Sequence, residues 1–396
     1  MLVTGYDIIF FWVARMIFSG LEHMKRIPFK DVLIHGIVRD DQGRKMSKSL
    51  GNGVDPIKVI EEYGADTLRF SLLTGVAAGS DIRFSTEKCE SSRNFINKIW
   101  NASRFVLMNL EGVETQPIDK IKLELKDKWI LSKFNSTVKE VTKAMEKFDL
   151  GVALSLTHDF MWYDFCDWYI ELSKTALYGE NEAKKIATLS VLKYLLIETL
   201  KLLHPYIPFV TEEIYGYLGG EGSIMVSEYP KYNPRKTYKK DLEKMNSVMD
   251  IIKAVRQIKA QVGAAPSKKV DLIVVTDNEK LVTDNAQLIE KLSGVAKIDF
   301  VSAKSDISEK VFTQVLNGFE LYIPLGELVD VEKEITKLKD ELVKAEEELS
   351  RAEAKLNNKG FVEKAPKDLV EKEKQKIEKY NELIKKIKAN LAEYED

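Results

Sequence analysis

Gly43-Arg44-Lys45-Met46-Ser47-Lys48-Ser49-Leu50-Gly51-Asn52 is the run from which the architecture of this 396-residue chain can be read. Two lysines flank a Met46-Ser47 pair, and Ser47 and Ser49 place hydroxyls between and after them. Gly43, Gly51 and Gly53 bracket the run, and a helical pattern from Pro56 to Tyr63 follows it. The combination describes a mobile loop carrying two ammonium groups toward a polyanion. Lysine suits that task as a compact charge on a flexible stem, whereas arginine favours fixed, planar recognition. Movable cations that meet a phosphoryl group only as charge gathers in its transition state lower the barrier. An arbitrary Lys-x-x-Lys is far more often a solvated basic turn. The whole string in this order is much more specific.

Upstream, Leu2 to Asp7 reads as a buried strand ending in a Gly5-x-Asp7 turn. A helix is expected from about Ile8 to Glu22, with Phe10, Phe11 and Trp12 in the core and Trp12 a weaker candidate for lining a substrate pocket. Asp31 to Val38 reads as a second buried strand, and the lysine loop comes directly after it. Strand, helix and strand, with a functional loop at the carboxyl end of the last strand, is the arrangement of a doubly wound sheet. Two strands are fewer than a parallel sheet covered on both faces needs. The expectation is therefore the C-terminal part of a longer protein, lacking the first half of its nucleotide fold. Asp7 could merely cap the following helix, and His35 could be a satisfied core imidazole.

Composition narrows the classes. The length suggests two to four domains, and 44% hydrophobic residues with only ten prolines indicate a mainly helical globular protein. The net charge of −2 gives no global nucleic-acid signal, so an RNA surface would need local clustering. Cys89 and Cys166 lie far apart in no metal-ligand pattern, which suggests free thiols, a reducing and cytoplasmic setting and no metal site. The apolar run Ile8 to Ile17 is short and carries Arg15, so no membrane span is expected there.

Further along, long helical patterns run over Trp129 to Phe148, Leu150 to Ser173, Glu182 to Leu203 and Pro208 to Leu218, with short connections that favour an antiparallel bundle. The stretch His158 to Glu171 places six aromatic rings on one helix, too many for one buried stripe. Ring faces stack on splayed RNA bases, although core packing is the better prior for any single ring. Between Lys231 and Lys269 eleven basic residues face three acids, the footprint expected for phosphate contact. Strand patterns at Val270 to Val275, Ala296 to Val301, Val311 to Leu316 and Phe319 to Ile323, with a helix from Glu279 to Leu292, suggest a small α/β element. Finally, Ile335, Leu338, Leu342, Ala345, Leu349, Ala352 and Leu356, then Ile377, Tyr380, Ile384, Ile387, Leu391 and Tyr394, step alternately by three and four. That is the seam of an antiparallel helical hairpin. Its sixteen basic and seventeen acidic residues do not by themselves signal RNA.

The sequence from Thr4 to Met16, then Ile34-His35-Gly36, then the Lys-Met-Ser-Lys-Ser loop through Pro56, resembles the valyl-tRNA synthetase family of class I aminoacyl-tRNA synthetases. The stretch His158 to Glu171 with Leu203 to Tyr215 resembles the anticodon-binding helical domain of the valine, isoleucine and leucine synthetases, Val255 to Gln261 ending at Ala265 to Lys269 is similar to a synthetase pattern, and the turn Asn358 to Pro366 resembles that of the valyl family's C-terminal arm. The resemblance implies a multi-domain, mainly α protein. Its parts are a partial Rossmann-like catalytic remnant (1–54), a connector (55–124), a helical-bundle anticodon-binding domain (125–265), the small α/β element (266–328) and a coiled-coil tRNA-binding arm (329–396). It implies a valine--tRNA ligase using ATP with nucleotide-bound Mg²⁺, whose partners are valine and valine-specific tRNA, acting as a monomer. Lys45 and Lys48 would be catalytic. Gly5, Asp7, His35, Gly36, Met46, Ser47 and Ser49 would bind ATP, while Trp162, Phe165, Arg256, Lys259, Lys268 and Lys269 would contact tRNA. Arg69 and Arg83 are expected to form intramolecular salt bridges in preference to phosphate contacts. Because no His-x-Gly-His occurs, the chain alone is expected to be inactive. The alternatives are a non-catalytic tRNA-binding module, or the same region of an isoleucine or leucine synthetase.

Overall fold

The computed structural model describes residues 1–328, 331–357, 374–385 and 388. The chain separates into two compact units, Met1–Asn246 and Ser247–Asp396.

The first unit opens with β1 (Leu2–Gly5) pairing in parallel with β2 (Val32–His35), in a register that sets Gly5 opposite His35. The crossover is not one smooth helix. A 3₁₀ turn (Tyr6–Ile8) passes into a π turn (Ile9–Val13) and then α1 (Ala14–Met24). Phe10, Phe11 and Trp12 are 79%, 58% and 57% exposed, which corrects the expectation of a core role for them. Only Val13 in that stretch is buried, because a two-stranded sheet offers too little surface to cover both faces of the crossover. The second predicted strand breaks at Gly36-Ile37, and β3 (Val38–Arg39) instead pairs in parallel with β4 (Ile82–Arg83). Gly36 permits this: a Cβ there would lie 2.1 Å from the Ser80 carbonyl oxygen.

The lysine loop leads into α2 (Pro56–Tyr63), capped by Asp55, and α3 (Ala65–Ser71). The long α4 (Thr86–Leu110) starts under a Ser85 cap. The helices α5 (Leu125–Glu146), α6 (Leu150–Asp159), α7 (Ile170–Leu177), α8 (Glu182–Leu203) and α9 (Pro208–Tyr217) pack around buried Trp129, Phe134, Phe160, Leu192 and Leu196. Between α6 and α7 the chain does not stay α-helical; Phe160–Tyr169 forms a ten-residue π segment. Its wider turn brings Phe160, Phe165 and Tyr169 inward together, leaving Trp162 and Trp168 half-buried and Tyr163 exposed.

Two contacts tie α3 to the bundle. Asp66 accepts from the backbone N–H groups of Phe209 (3.2 Å) and Val210 (2.7 Å), capping α9 from outside. Arg69 donates to the carbonyls of Pro205 and Tyr206, so it binds backbone rather than an acid.

The boundary between the units falls within α10 (Lys239–Gln261). The second unit contains β5 (Val270–Val275), α11 (Glu279–Asp284), α12 (Ala286–Ser293), β6 (Val295–Phe300), β7 (Val311–Leu316), β8 (Phe319–Pro324) and the single turn α13 (Leu325–Leu328). The four strands lie in the order β6-β5-β8-β7, with β5–β6 parallel and the other pairs antiparallel. The helix expected over Glu279 to Leu292 is divided at Asn285, whose side chain bonds the Leu281 carbonyl. α14 (Val331–Asn357) and helical residues 374–385 follow. Ala345 and Ala352 are buried along the predicted seam, and Lys388 forms a 3.0 Å ion pair with Glu346. Ile387, Leu391, Tyr394 and the turn Asn358 to Pro366 lie outside the described residues.

Candidate functional site

The lysine loop is built from two consecutive turns. The first runs from Asp40 to Gly43, closed by the Gly43 N–H on the Asp40 carbonyl, and brings Lys45 back beside Arg39 in an antiparallel bridge. The second, Ser47 to Gly51, is closed by the Ser47 hydroxyl accepting from Leu50 N–H and by Gly51 N–H on the Lys48 carbonyl. Gly43 (φ +78°) and Gly51 (φ +60°) occupy left-handed backbone that other residues rarely adopt. Lys48 and Ser49 are exposed, Met46 and Ser47 are half-buried, and the Ser47 and Ser49 hydroxyls lie 3.1 Å apart.

The loop folds over the carboxyl ends of β1 and β2. Lys45 Nζ lies 3.3 Å from Asp7 Oδ2, so the predicted phosphate cation and the predicted ribose acceptor are brought together. Asp7 is the middle residue of the 3₁₀ turn Tyr6–Ile8, which has no side-chain cap hydrogen bond. A Cβ on Gly5 would fall 2.8 Å from Asp7 Oδ1 and 3.7 Å from His35 Cε1, so the glycine keeps open the space between those two side chains. His35 is exposed, which removes the core-imidazole alternative; its Nδ1 is 2.8 Å from the Gly36 carbonyl. A carbonyl can only accept, so Nδ1 donates to it, and in the neutral ring Nε2 is then an acceptor. Gly36 itself is buried, and its contact with Ser80 accounts for its lack of a side chain.

Sequence reasoning passed over the side chains that hold this loop. Asp40 accepts from Arg44 N–H (2.6 Å), Arg44 Nε (2.7 Å) and Asn52 Nδ2 (2.9 Å). These bonds, the Asn52 amide foremost, hold its carboxyl down at about 2. Beneath, Asp81 accepts from Ile37 N–H, Arg39 Nε (2.5 Å) and Tyr6 Oη, which lowers its pKa and raises that of Arg39. An apolar cavity of about 500 Å³ opens beside this edge, lined by Val3, Leu33, Leu72, Val76 and Phe148 along with His35 and Gly36; neither lysine lines it.

The expected tRNA contacts are scattered, and three of them are engaged in packing. Phe165 is buried, which corrects its assignment as a stacking surface. Trp162 lies in a row of rings with His158 and Phe95, and Lys98 Nζ sits 3.7 Å from its ring centroid, so that face is already covered. Lys259 is 2% exposed and donates to the carbonyls of Lys268, Ser293 and Gly294 at 2.6, 2.7 and 2.9 Å. It is an internal cation seat, correcting its assignment as a phosphate contact. Arg256 bonds the Leu292 carbonyl but stays exposed; Lys268 is half-buried and Lys269 exposed. Among the described residues no three His, Cys, Asp or Glu side chains converge as metal ligands, and no helix is long and apolar enough to cross a membrane.

Comparison with known proteins adds the family. Residues 1–85 match the model described as tRNA synthetases class I (I, L, M and V), 127–274 the anticodon-binding domain of tRNA ligase, and 330–394 the valyl tRNA synthetase tRNA binding arm. Valine--tRNA ligase of Clostridium tetani is 52% identical over 98% of this chain and 44% of its own length; that of Clostridium acetobutylicum is 49% identical over 99% and 45%. The chain belongs to the valyl-tRNA synthetases of class I. It spans about 45% of the length of these family members. Among solved structures, Mycobacterium tuberculosis methionyl-tRNA synthetase in complex with methionyl-adenylate aligns over 55% of this chain and 44% of that one, at 25% identity and a TM-score of 0.47.

Proposed function

We propose that this chain is the phosphate-loop and tRNA-binding portion of a valine--tRNA ligase. The observation that carries the reading is the lysine loop folded onto the Asp7 edge, with Lys45 3.3 Å from Asp7. In the complete ligase the valine carboxylate attacks the α-phosphorus of ATP in line and pyrophosphate leaves. Lys45 and Lys48 then stabilise the charge developing on the phosphates, and their flexible stems let that contact strengthen in the transition state. Asp7 accepts from the ribose, His35 offers Nε2 to the adenosine side, and Met46, Ser47 and Ser49 complete the loop around the nucleotide. Mg²⁺ arrives as the nucleotide's own counter-ion, a role needing few protein ligands. The valyl group then passes to the terminal ribose of tRNA.

The five segments outlined above divide the tRNA contacts. The bundle takes the anticodon stem, the exposed Arg256 and Lys269 meet phosphate, and the C-terminal helices form the coiled-coil arm. Burial of Ala345 and Ala352 and the Lys388–Glu346 ion pair support that arm. We place the enzyme in the cytoplasm as a monomer.

Valine-dependent ATP–pyrophosphate exchange by the complete ligase is the test. Exchange with valine well above that with isoleucine or leucine is expected; preference for either of those would contradict the assignment. A second reading, a non-catalytic tRNA-binding module, gains weight for the chain on its own because it spans under half of its relatives' length. Titration with valine tRNA at several salt concentrations separates it from an inert piece, since phosphate contacts give a steep salt slope.

A further inference from the structure

The loop that carries Lys45 and Lys48 is stapled at its base by a single side chain. Asn52 Oδ1 accepts from Ser47 N–H at 3.0 Å, and Asn52 Nδ2 donates to Asp40 Oδ2 at 2.9 Å and to the Lys45 carbonyl at 3.3 Å. One amide thus touches the chain at three separate points, the first turn, the residue between the turns and the start of the second. A carboxamide offers a donor nitrogen and a separate acceptor oxygen on one short stem. Asp40, the residue after β3, is buried, and through Arg44 it also fixes the outer limb of the first turn. Gly51 at φ +60° supplies the reversal that turns Asn52 back under the loop. With its base closed, the second turn presents Lys48 at the tip.

We propose that Asn52 and Asp40 are positioning residues, a clasp that fixes where the two lysines stand relative to the Asp7 edge. The proposal rests on the phosphate role given above to those lysines. Neither clasp residue touches the nucleotide in this account; both act through the loop backbone. Misplacement of catalytic groups by about 1 Å can cost on the order of 100-fold in rate. Asn52→Ala in the complete ligase is therefore expected to lower kcat for ATP–pyrophosphate exchange by about 10- to 100-fold, with the KM for valine changed less than about twofold. Asn52→Asp sets a second carboxylate against Asp40 and is expected to be worse. A merely structural role would move the melting temperature together with kcat.

A second measurement does not depend on catalysis. In the 396-residue chain, Asn52→Ala should speed amide hydrogen exchange at Ser47 while leaving the α5 and α8 cores protected. Unchanged exchange at Ser47, or faster exchange with undiminished kcat, overturns the clasp. A complete ligase without any valine-dependent exchange would instead overturn the functional reading, and the Ser47 amide would still decide whether the clasp exists.

Discussion

Lys48 and Lys259 are both lysines in basic stretches, and the fold uses them in opposite ways. Lys48 stands exposed at the tip of a closed turn, whereas Lys259 is enclosed by three backbone carbonyls that consume its three donors. Burial, followed by the nearby Lys269, draws the Lys259 pKa below its ordinary value. Its seat ties the C-terminal turn of α12 to the segment before β5, so Lys259→Met should destabilise the second unit by about 2 kcal/mol through unsatisfied carbonyls. Denaturant unfolding checks this; unchanged stability with weakened tRNA binding would return Lys259 to the role first expected of it. Asp40 gives a pH prediction. Its folded pKa of about 2 lies below the ordinary 3.8, so the carboxylate favours the native loop above 3.8, and that contribution is lost as pH falls toward 2. The Asn52 side-chain amide resonances should titrate with a midpoint near 2; a midpoint near 3.8 would mean the clasp is not formed.

At the scale of elements, α9 shows how a helix is started by a distant residue. Ile207 precedes Pro208 at its N-terminus and has no side-chain acceptor, and Asp66 from α3 supplies one to Phe209 and Val210. Asp66→Ala is expected to lower the stability of the first unit by about 1–2 kcal/mol, while Asp66→Asn retains acceptor capacity and should cost less. A thermal shift equal for both variants would argue against the cap. Such contacts were hidden from the sequence because they join residues about 140 positions apart. Local periodicity, by contrast, was enough for Glu182 to Leu203 and for the strands Val270 to Val275 and Val311 to Leu316, whose limits agree with the structure. It failed at Phe160–Tyr169, since a count of rings on a 3.6-residue wheel cannot anticipate a π turn that gathers Phe160, Phe165 and Tyr169 inward. The loop was legible as lysines and glycines, yet its clasp was not. Asn52 gains meaning only when two turns bring residues 40, 45 and 47 within its reach.

Over the whole molecule, the family tie, the near-neutral charge and the unequal cover of apolar surface fit together. The chain spans about 45% of the length of its relatives, and its first helical turns expose Phe10, Phe11, Trp12 and Phe18. Single exposed apolar residues are ordinary on any surface, but four large ones in nine residues form a patch. The isolated chain should therefore self-associate or bind a hydrophobic dye, and Phe10→Ser/Phe11→Ser should reduce both; sedimentation showing a monomer with no dye binding would contradict this. The most direct test of the account concerns the loop lysines. In the complete ligase, Lys45→Ala and Lys48→Ala should each lower kcat of valine-dependent ATP–pyrophosphate exchange by about 100-fold while valine affinity stays near that of the unaltered enzyme. An undiminished exchange rate, or a loss confined to valine affinity, would contradict it.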